Sequence, residues 1–295
     1  MKTKTKMNWN ILGIIGFVLL ITYSVSFITP FLWAFNTSLK DEIDFMLDTF
    51  GIVNPKTIYL ENYRLAYDLI EVTIMKNGAP YVVEFWELIG NSVIYSVLCT
   101  IMHVLTPCIT AYAVARYDFK FSKVIYTTVI VTMILPTIGN LASSIQVSKW
   151  FFTYDSFIGL AVMKGYFLGT NFLIFYAAFK SISKEYTEAA EIDGASQWQI
   201  MTQVILPLAK TTVSAVALIS FIAYWNDYST PMIYLPSHPT IAYGLYYFNN
   251  NTNNEASFVT VRLAGCIIVS IPILVVFILF KDKLMGNLTV GGIKG

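Results

Sequence analysis

One polar stretch of this chain reads Glu188-Ala189-Ala190-Glu191-Ile192-Asp193-Gly194-Ala195-Ser196. It lies between two long apolar runs, one ending near residue 179 and the other beginning at Pro207. Carboxylates are costly to place in hydrocarbon, so we expect this stretch to lie in water between two membrane helices.

The composition of the whole chain is that of a membrane protein. Of 295 residues, 56% are hydrophobic and 13% are charged, whereas about 25% charged residues are usual in soluble domains. A net charge of +1 gives no field that attracts a polyanion, so nucleic acid is not an expected partner. Cys99, Cys108 and Cys266 lie inside apolar runs, which indicates neither a disulfide framework nor a CxxC metal or redox site.

Apolar runs long enough to cross a bilayer recur along the chain. A helix needs about 20 residues to cross about 30 Å of hydrocarbon. Six runs meet this length, and they lie within residues 7–39, 88–115, 124–148, about 156–179, 207 to about 235, and 263–280. Backbone groups must be hydrogen-bonded inside lipid, so the runs predict helices, the third of them kinked at Pro136. We therefore predict an all-α integral membrane protein with six transmembrane helices in a single domain, residues 1–295, surrounded by membrane lipid.

Lysine and arginine in the loops predict the orientation of the helices. With a cytoplasmic amino terminus, twelve of these residues lie inside and six outside, and Lys164 within a helix completes the total of 19. We expect both termini, the loop 181–206 and the tail 281–295 in the cytoplasm, and the long loop 41–87 outside. The protein is then a multi-pass protein of a bacterial-type cell membrane.

Residue types around the polar stretch predict two short helices at a sharp turn. Ser183 suits an N-cap, and Glu185 would lie in the first helical turn, where the helix dipole favours an anion. Gly194 stands where a helix would end in a left-handed residue. Ser196 and Gln199 have the spacing of a capping box that begins the next helix.

Pro207 suits the first position of the fifth membrane helix, because the N–H that proline lacks has no partner there. A short helix with a small-residue face, joined to a membrane helix by a rigid turn, can dock on a soluble protein and transmit its movement. An ordinary solvated connection between membrane helices explains the same residues. The residue chemistry alone leaves both interpretations open.

The spacing of Glu188, Ala189, Ala190, Gly194 and Pro207 resembles the cytoplasmic coupling loop of ATP-binding-cassette importer permeases. Further stretches resemble the same group in the same order, namely residues 36–40, 91–92, 113–119, 133–136, 225–228 and 290–295. The chain as a whole resembles a permease subunit of a type I importer of the carbohydrate-uptake group. It is similar to the maltose-type subunit whose carboxyl tail reaches the ATPases.

This resemblance implies a function, partners and two contact regions. The protein would form half of a translocation path for a carbohydrate, an oligosaccharide, delivered by an external solute-binding protein. Its partners would be a second related permease, in a heterodimer, and two ATP-binding subunits. The ATPases would contact a coupling set and a tail set, namely Glu188, Ala189, Ala190, Asp193, Gly194 and Ala195, and Gly291, Gly292, Ile293, Lys294 and Gly295.

The sequence lacks the parts of an ATPase or of another enzyme. It contains no G-x-x-x-x-G-K-[ST] loop, so ATP hydrolysis is expected in separate subunits. His103 and His238 do not form a pair of metal ligands, and no metal, cofactor or catalytic site is expected. We interpret His103 as an interior residue with satisfied hydrogen bonds rather than as a proton relay.

Two charged residues fall inside predicted membrane helices. Lys164 and Asp227 each lie about nine residues from the outer end, about 13 Å deep at 1.5 Å per residue. They could form a structural salt bridge, or they could line a water-filled path for hydroxyl-rich solutes. The candidate translocation residues are Lys164, Tyr224, Trp225, Asn226, Asp227 and Tyr228.

Two other functions stay open on the sequence. A permease for glycerol phosphate or another polyol would share the importer architecture. A proton-coupled secondary transporter would work without ATPases, but it would need a titratable relay, for which only Lys164, Asp227 and His103 are available. The polar stretch has no use in such a carrier and favours the importer.

Overall fold

The structure is a computed structural model that describes residues 11–76, 78–135, 139–250 and 256–285. The described chain is mostly helical, as predicted. Its helices are α1 (Ile11–Ser38), α2 (Glu42–Leu47), α3 (Glu61–Leu69), α4 (Phe85–Arg116), α5 (Ser122–Ile134), α6 (Leu141–Trp150), α7 (Phe157–Lys164), α8 (Thr170–Ser181), α9 (Glu185–Ile192), α10 (Gln197–Gln199), α11 (Leu206–Leu208), α12 (Lys210–Trp225), α13 (Ser229–Tyr234), α14 (Ile241–Asn250) and α15 (Val259–Met285). A π-helical turn, Ile200–Ile205, lies between α10 and α11, and two strands, β1 (Val72–Lys76) and β2 (Ala79–Val83), lie between α3 and α4.

Several helices are long and apolar, as a membrane-embedded chain requires. Within the described residues, α1, α4 and α15 can cross a bilayer, over Gly13–Ser38, Phe85–Arg116 and Val259–Leu279. The pair Gln197–Leu208 and Lys210–Trp225 would give a fourth span, bent by 77°. The first, second and sixth predicted runs are therefore single helices, whereas the total of six spans stays a prediction.

The third predicted run is divided into α5 and α6. The backbone of Leu135, the residue after α5, is extended, with φ −72° and ψ 124°. The ring of a following proline disfavours the helical conformation of the residue before it, so the helix stops here. Pro136, the predicted kink, lies outside the described residues.

The fourth predicted run is also divided, although a continuous helix over about 156–179 was expected. α7 ends at Lys164 and α8 begins at Thr170. Gly169, between them, has φ +146°, a conformation that residues with a Cβ rarely adopt. The chain thus has a non-helical segment, residues 165–169, in the middle of an apolar run.

The fifth predicted run begins later and ends earlier than expected. Pro207 lies in the short α11, and the long helix α12 begins only at Lys210, after the bend at Ala209. α12 ends at Trp225, because the Asp227 carboxylate accepts a hydrogen bond from the Thr230 N–H at 3.0 Å and competes with helical hydrogen bonding. A separate short helix, α13, follows.

A β-hairpin stands in the segment predicted to form the long outer loop, so the chain is not wholly helical. β1 and β2 pair antiparallel, with Val72 opposite Val83, and Gly78 in the turn has φ +80°. Tyr81 Oη donates a hydrogen bond to the Glu87 carboxylate at 2.9 Å. This bond raises the pKa of the Tyr81 phenol above its usual value. β-branched residues in both strands favour this pairing.

The described chain divides into two compact units, residues 11–69 with 248–268, and residues 70–247 with 269–285. In the first unit, the buried Asn62 amide donates hydrogen bonds to the carbonyls of Ser38 at 2.8 Å and Lys40 at 2.7 Å. This amide holds the chain where it leaves α1. The stretch 36–40, which the sequence analysis singled out, is therefore a structural junction.

In the second unit, α4 packs against α7, α8 and α12. An apolar cluster, which we call the first apolar cluster, fills the space between α4, α8 and the π-helical turn, and includes Phe172, Phe175, Phe179, Ile200 and Ile205. The second lies between α4, α7 and α12, and includes Tyr95, Cys99, Leu160 and Tyr224. The candidate site residues are positioned by these two clusters.

Candidate functional site

The polar segment, residues 181–206, contains a short exposed helix where one was predicted. α9 ends in a Schellman motif, in which the Ala195 N–H donates to the Ala190 carbonyl at 2.9 Å and the Gly194 N–H donates to the Glu191 carbonyl at 3.0 Å. Gly194 has φ +79°, as the predicted left-handed cap requires. Local sequence alone therefore fixes where α9 ends.

The beginning of α9 differs slightly from the prediction. Lys184, not Ser183, occupies the N-cap position, and its side chain makes no capping hydrogen bond. Ser183 Oγ instead accepts a hydrogen bond from the Glu185 N–H at 3.3 Å. Glu185 and Glu188 both lie in the first turn, where the helix dipole stabilises their charge.

The predicted capping box is formed, and a neighbouring glutamine ties the segment together. The Gln199 N–H donates to Ser196 Oγ at 3.4 Å, and the Ser196 N–H donates to Gln199 Oε1 at 2.8 Å. Gln197 Nε2 donates to the Glu191 carboxylate at 2.9 Å, while its Oε1 accepts from Tyr117 Oη at 2.7 Å. These bonds link α9, α10 and the end of α4.

The polar segment is also packed into the helical core. Ile200 and Ile205 of the π-helical turn are fully buried in the first apolar cluster, beside Phe175 and Phe179 of α8. Ala190 of α9 packs against the same cluster. Because packed cores deform little, a displacement of α9 has to move the ends of α4 and α8 as well.

The opposite side of the segment carries exposed apolar side chains. Glu188 and Ala189 are exposed, and Ile192 and Trp198 are exposed to 86% and 65%. Tyr186 of α9 is half exposed. We call these five residues the α9 surface. Exposed apolar groups bounded by carboxylates are typical of a site where another protein binds.

The candidate translocation residues fall into different surroundings. Asp227 is half-buried, and its carboxylate accepts hydrogen bonds from Tyr95 Oη at 3.0 Å, Ser229 Oγ at 3.1 Å and the Thr230 N–H at 3.0 Å. Among the described residues, no ion pair joins it to Lys164. The carboxylate is instead stabilised by neutral donors, and by accepting from the Thr230 N–H it satisfies one of the free N–H groups in the first turn of α13.

Lys164 lies at the end of α7, where it meets aromatic rings. Its Nζ is 5.9 Å from the centroid of the Tyr224 ring, within the range of a cation–π contact. Its carbonyl is 3.3 Å from His103 Nδ1. The His103 ring makes edge-to-face contacts with Tyr166 at 5.5 Å and Tyr224 at 5.7 Å. Lys164, Tyr224 and Asp227 thus lie around one aromatic group in α4 and α12.

The three other candidate translocation residues do not join this group. Trp225 is only 3% exposed and lines an apolar groove of about 450 Å³ with Phe221 and Pro272. Asn226 donates to the Ile222 carbonyl of its own helix at 2.9 Å. Tyr228 stacks on Tyr246 with ring centroids 4.5 Å apart. These three residues are close in sequence and were therefore predicted to act together, but at the end of α12 their side chains contact different groups.

The remaining predicted residues cannot be placed. The tail set, residues 291–295, lies outside the described residues. Within the described part of the chain, no group of three or more His, Cys, Asp or Glu side chains could hold a metal ion. The sequence analysis missed Tyr95 as the partner of Asp227, and Ile200 and Ile205 as anchors of the polar segment, because their contacts come from distant parts of the chain.

Comparisons with known proteins assign the fold and the family. Residues 81–285 match the family described as binding-protein-dependent transport system inner membrane component. The chain is 27% identical to the arabinooligosaccharides transport system permease protein AraQ of Halalkalibacterium halodurans, covering 100% of both chains. It is 29% identical to the trehalose/maltose transport system permease protein MalG of Thermococcus litoralis, covering 97% of both.

A solved structure has the same fold over nearly its whole length. The crystal structure of a bacterial ABC transporter involved in the import of the acidic polysaccharide alginate contains a chain with a TM-score of 0.74 and 22% identity. The match covers 94% of this chain and 99% of that one. The family match covers more than half of this protein, and the role is that of a transport subunit rather than an enzyme. The protein belongs to the family of binding-protein-dependent transport system inner membrane components.

Proposed function

We propose that this protein is the permease subunit of an ATP-driven importer and forms half of the translocation path for a carbohydrate. The observation that carries the proposal is the construction of the polar segment. Its α9 surface presents apolar side chains to water, while Ile200 and Ile205 on the other side are buried in the membrane-helix core. A plain connecting loop needs neither feature.

In this function, the protein pairs with a second permease, and two separate ATP-binding subunits dock on this pair. One of the two ATP-binding subunits docks on the α9 surface. When the ATPases close on ATP, α9 moves with them, and its Schellman turn and capping box resist bending. The movement then passes through the π-helical turn to α12, which meets this segment at a 77° bend. The path switches from inward-facing to outward-facing, and the tail residues 291–295 reach the ATPases.

The topology that this function requires is six spans with both termini in the cytoplasm. The pairs α5–α6 and α7–α8 supply two of the three spans that are not single helices, and α12 with the bent segment before it supplies the third. The excess of lysine and arginine, twelve against six, supports placing α9 in the cytoplasm. The hairpin β1–β2 and α14 then face outward, where a solute-binding protein would arrive.

The carbohydrate class is supported by the relatives, whose names specify arabinooligosaccharides and trehalose or maltose. We propose an oligosaccharide as the substrate and a second related permease as the other half of the path. A proton-coupled carrier is less well supported, because Asp227 is held by Tyr95, Ser229 and Thr230 instead of joining Lys164 in a relay.

Reconstitution tests this function directly. The chain is purified with the second permease, the ATPases and the binding protein encoded beside it, and the complex is placed in liposomes. We expect ATP hydrolysis to rise when the binding protein is loaded with sugar, and labelled sugar to accumulate. Sugar uptake by this chain alone, driven by a proton gradient and independent of ATP, would contradict the proposal.

A further inference from the structure

A group of exposed apolar side chains follows α1, and the proposed function does not use it. Ile43, Met46 and Leu47 belong to α2, and Phe50 and Ile52 belong to the loop after it. Leu47, Phe50 and Ile52 are exposed to 82%, 83% and 91%. We call these five residues the α2 apolar group. Neighbouring apolar side chains exposed to this extent mark a site of contact with lipid or with another protein.

The loop after α2 is folded back along the end of α1. Trp33 Nε1 donates a hydrogen bond to the Thr49 carbonyl at 3.1 Å, and the Asn36 amide donates to the Gly51 carbonyl at 2.8 Å. Asn36 Oδ1 also accepts from the Val53 N–H at 2.8 Å. At 1.5 Å per residue, Trp33 and Asn36 lie about 3 to 8 Å before the end of α1. The loop therefore lies beside the last two turns of a helix that can cross the bilayer.

Hydrogen bonds and an aromatic contact give this loop a defined shape. The Gly51 N–H donates to Asp48 Oδ1 at 2.8 Å, and Lys40 Nζ donates to the Asp48 carbonyl at 2.6 Å. A Cβ on Gly51 would overlap the Asp48 carboxylate and displace it. The Phe50 ring lies with its centroid 6.3 Å from that of Trp33. Phe50 is thus held next to the last turns of α1.

A second helix that can cross the bilayer fixes the level of α2. The Glu42 carboxylate accepts hydrogen bonds from Thr260 Oγ1 at 2.8 Å and from the Thr260 N–H at 3.3 Å. Thr260 is buried in the first turn of α15, whose apolar span begins at residue 259. α2 is therefore held where α1 ends and α15 begins. The ends of two membrane-crossing helices meet at a boundary of the membrane.

The surroundings of the α2 apolar group favour lipid as its occupant. Phe31 and Leu32, in the turn before Trp33, are exposed, and none of the apolar window of α1 is buried within the described chain. The apolar surface of α1 thus continues into the α2 apolar group. Tryptophan is enriched where hydrocarbon meets the headgroups. The exposed carboxylates of Asp44 and Asp48 bound the group, which favours this boundary layer over the hydrocarbon itself.

We infer that the α2 apolar group inserts into the lipid headgroup layer next to the carboxyl end of α1 and anchors this helix at a fixed depth. Elements of this kind bury their apolar side chains about 5–10 Å into the boundary between headgroups and acyl chains. With the proposed topology, the anchor lies in the outer leaflet. The inference uses only the membrane-crossing helices, and it depends neither on the transported solute nor on the ATPases.

Spin labels measure the depth of the group. Leu47→Cys, Ile52→Cys and Lys56→Cys are made one at a time in a chain with Cys266→Ala, because the other two cysteines are buried. The chain is reconstituted with its partner subunits in vesicles of phosphatidylcholine and phosphatidylethanolamine. Collisions of each label with oxygen, which concentrates in lipid, and with a neutral nickel chelate, which stays in water, are then compared.

The label at position 56 is the matched control, because Lys56 is an exposed residue of the same loop. We expect the labels at positions 47 and 52 to lie about 5–10 Å below the lipid phosphates and the label at position 56 to lie in water. Nickel collisions at position 52 equal to those at position 56 would overturn the inference. Labels at 47 and 52 that collide with neither reagent would also overturn it, since protein would then cover the group.

Photocrosslinking in the assembled transporter identifies the occupant directly. The photoreactive amino acid p-benzoylphenylalanine replaces Ile52 or, as a matched control, Ile192 of the α9 surface, which are exposed to 91% and 86%. In cell membranes that contain all subunits, we expect a lipid adduct at position 52 and a protein adduct at position 192. An adduct of the second permease or of the binding protein at position 52 would overturn the lipid anchor. A lipid adduct at position 52 without a protein adduct at position 192 would support the anchor and count against the proposed ATPase contact.

Discussion

Replacement of Gly194 tests whether the turn after α9 transmits force. Gly194 has φ +79°, and a Cβ added there would meet no atom within 4 Å. Any effect of a substitution therefore comes from backbone conformation and not from a steric clash. The left-handed conformation costs a residue with a Cβ roughly 1–2 kcal/mol, and a β-branched residue more.

This energy can be compared with what holds the turn. Two hydrogen bonds close the Schellman motif, to the carbonyls of Ala190 and Glu191, at 2.9 and 3.0 Å. Each contributes about 0.5–1.5 kcal/mol net. The strain in Gly194→Val is of the same size as the two bonds together, so we expect the turn to open. In Gly194→Asn, whose side chain tolerates this conformation, it should stay closed.

The assay measures ATP hydrolysis and sugar uptake by the reconstituted complex. We expect stimulation by the loaded binding protein to fall about tenfold in Gly194→Val, as about 1.4 kcal/mol implies, and to remain near normal in Gly194→Asn. Gly139→Val is the matched control, because Gly139 has φ +77° and equally open surroundings but lies between α5 and α6. Membrane assembly should be normal in all three variants.

Two results would refute this reasoning. Normal stimulation and uptake in Gly194→Val would mean that the segment is only a connection. Equal losses in Gly194→Val and Gly139→Val would mean that backbone strain acts through general stability instead of coupling.

Three other measurements test the topology and the packing. A cysteine at position 184 should react with an impermeant reagent only in opened cells, and labelling from outside intact cells would reverse the orientation. In a double-mutant cycle of Asp227→Asn and Lys164→Met, assembly losses should add within about 0.5 kcal/mol, because the two side chains form no ion pair in the described part of the chain. A larger coupling energy would mean that they pair in the assembled complex. Ile200→Ala should lower the free energy of unfolding by about 2–5 kcal/mol, since its side chain is fully buried. Ile192→Ala, at an exposed position, should keep normal stability and instead weaken ATPase binding; equal melting temperatures for both variants would contradict the packing.

Much of the local structure could be predicted because it depends on residues close in sequence. The cap at Gly194 and the box of Ser196 and Gln199 use hydrogen bonds between residues three to five apart. Apolar runs gave the positions of α1, α4 and α15, because lipid imposes a helix on any long apolar segment. These features could be predicted correctly without knowing which helices pack against each other.

Apolar runs could not reveal where helices break. The segment 165–169 and the interruption after Trp225 lie within stretches that hydropathy alone joins into single spans. Their backbone groups are satisfied by partners from other helices, such as His103 of α4 at the Lys164 carbonyl. Hydropathy measures the cost of exposing side chains to water and contains no information about such partners.

The sequence by itself determined that this is a membrane protein, that a capped polar helix separates its apolar runs, and which family it resembles. Only the tertiary structure decided that Asp227 is bound by Tyr95 and not by Lys164, and that Ile200 anchors the polar segment. The physical reason is sequence separation. Tyr95 and Asp227 are 132 residues apart, and their hydrogen bond exists only because α4 and α12 pack together.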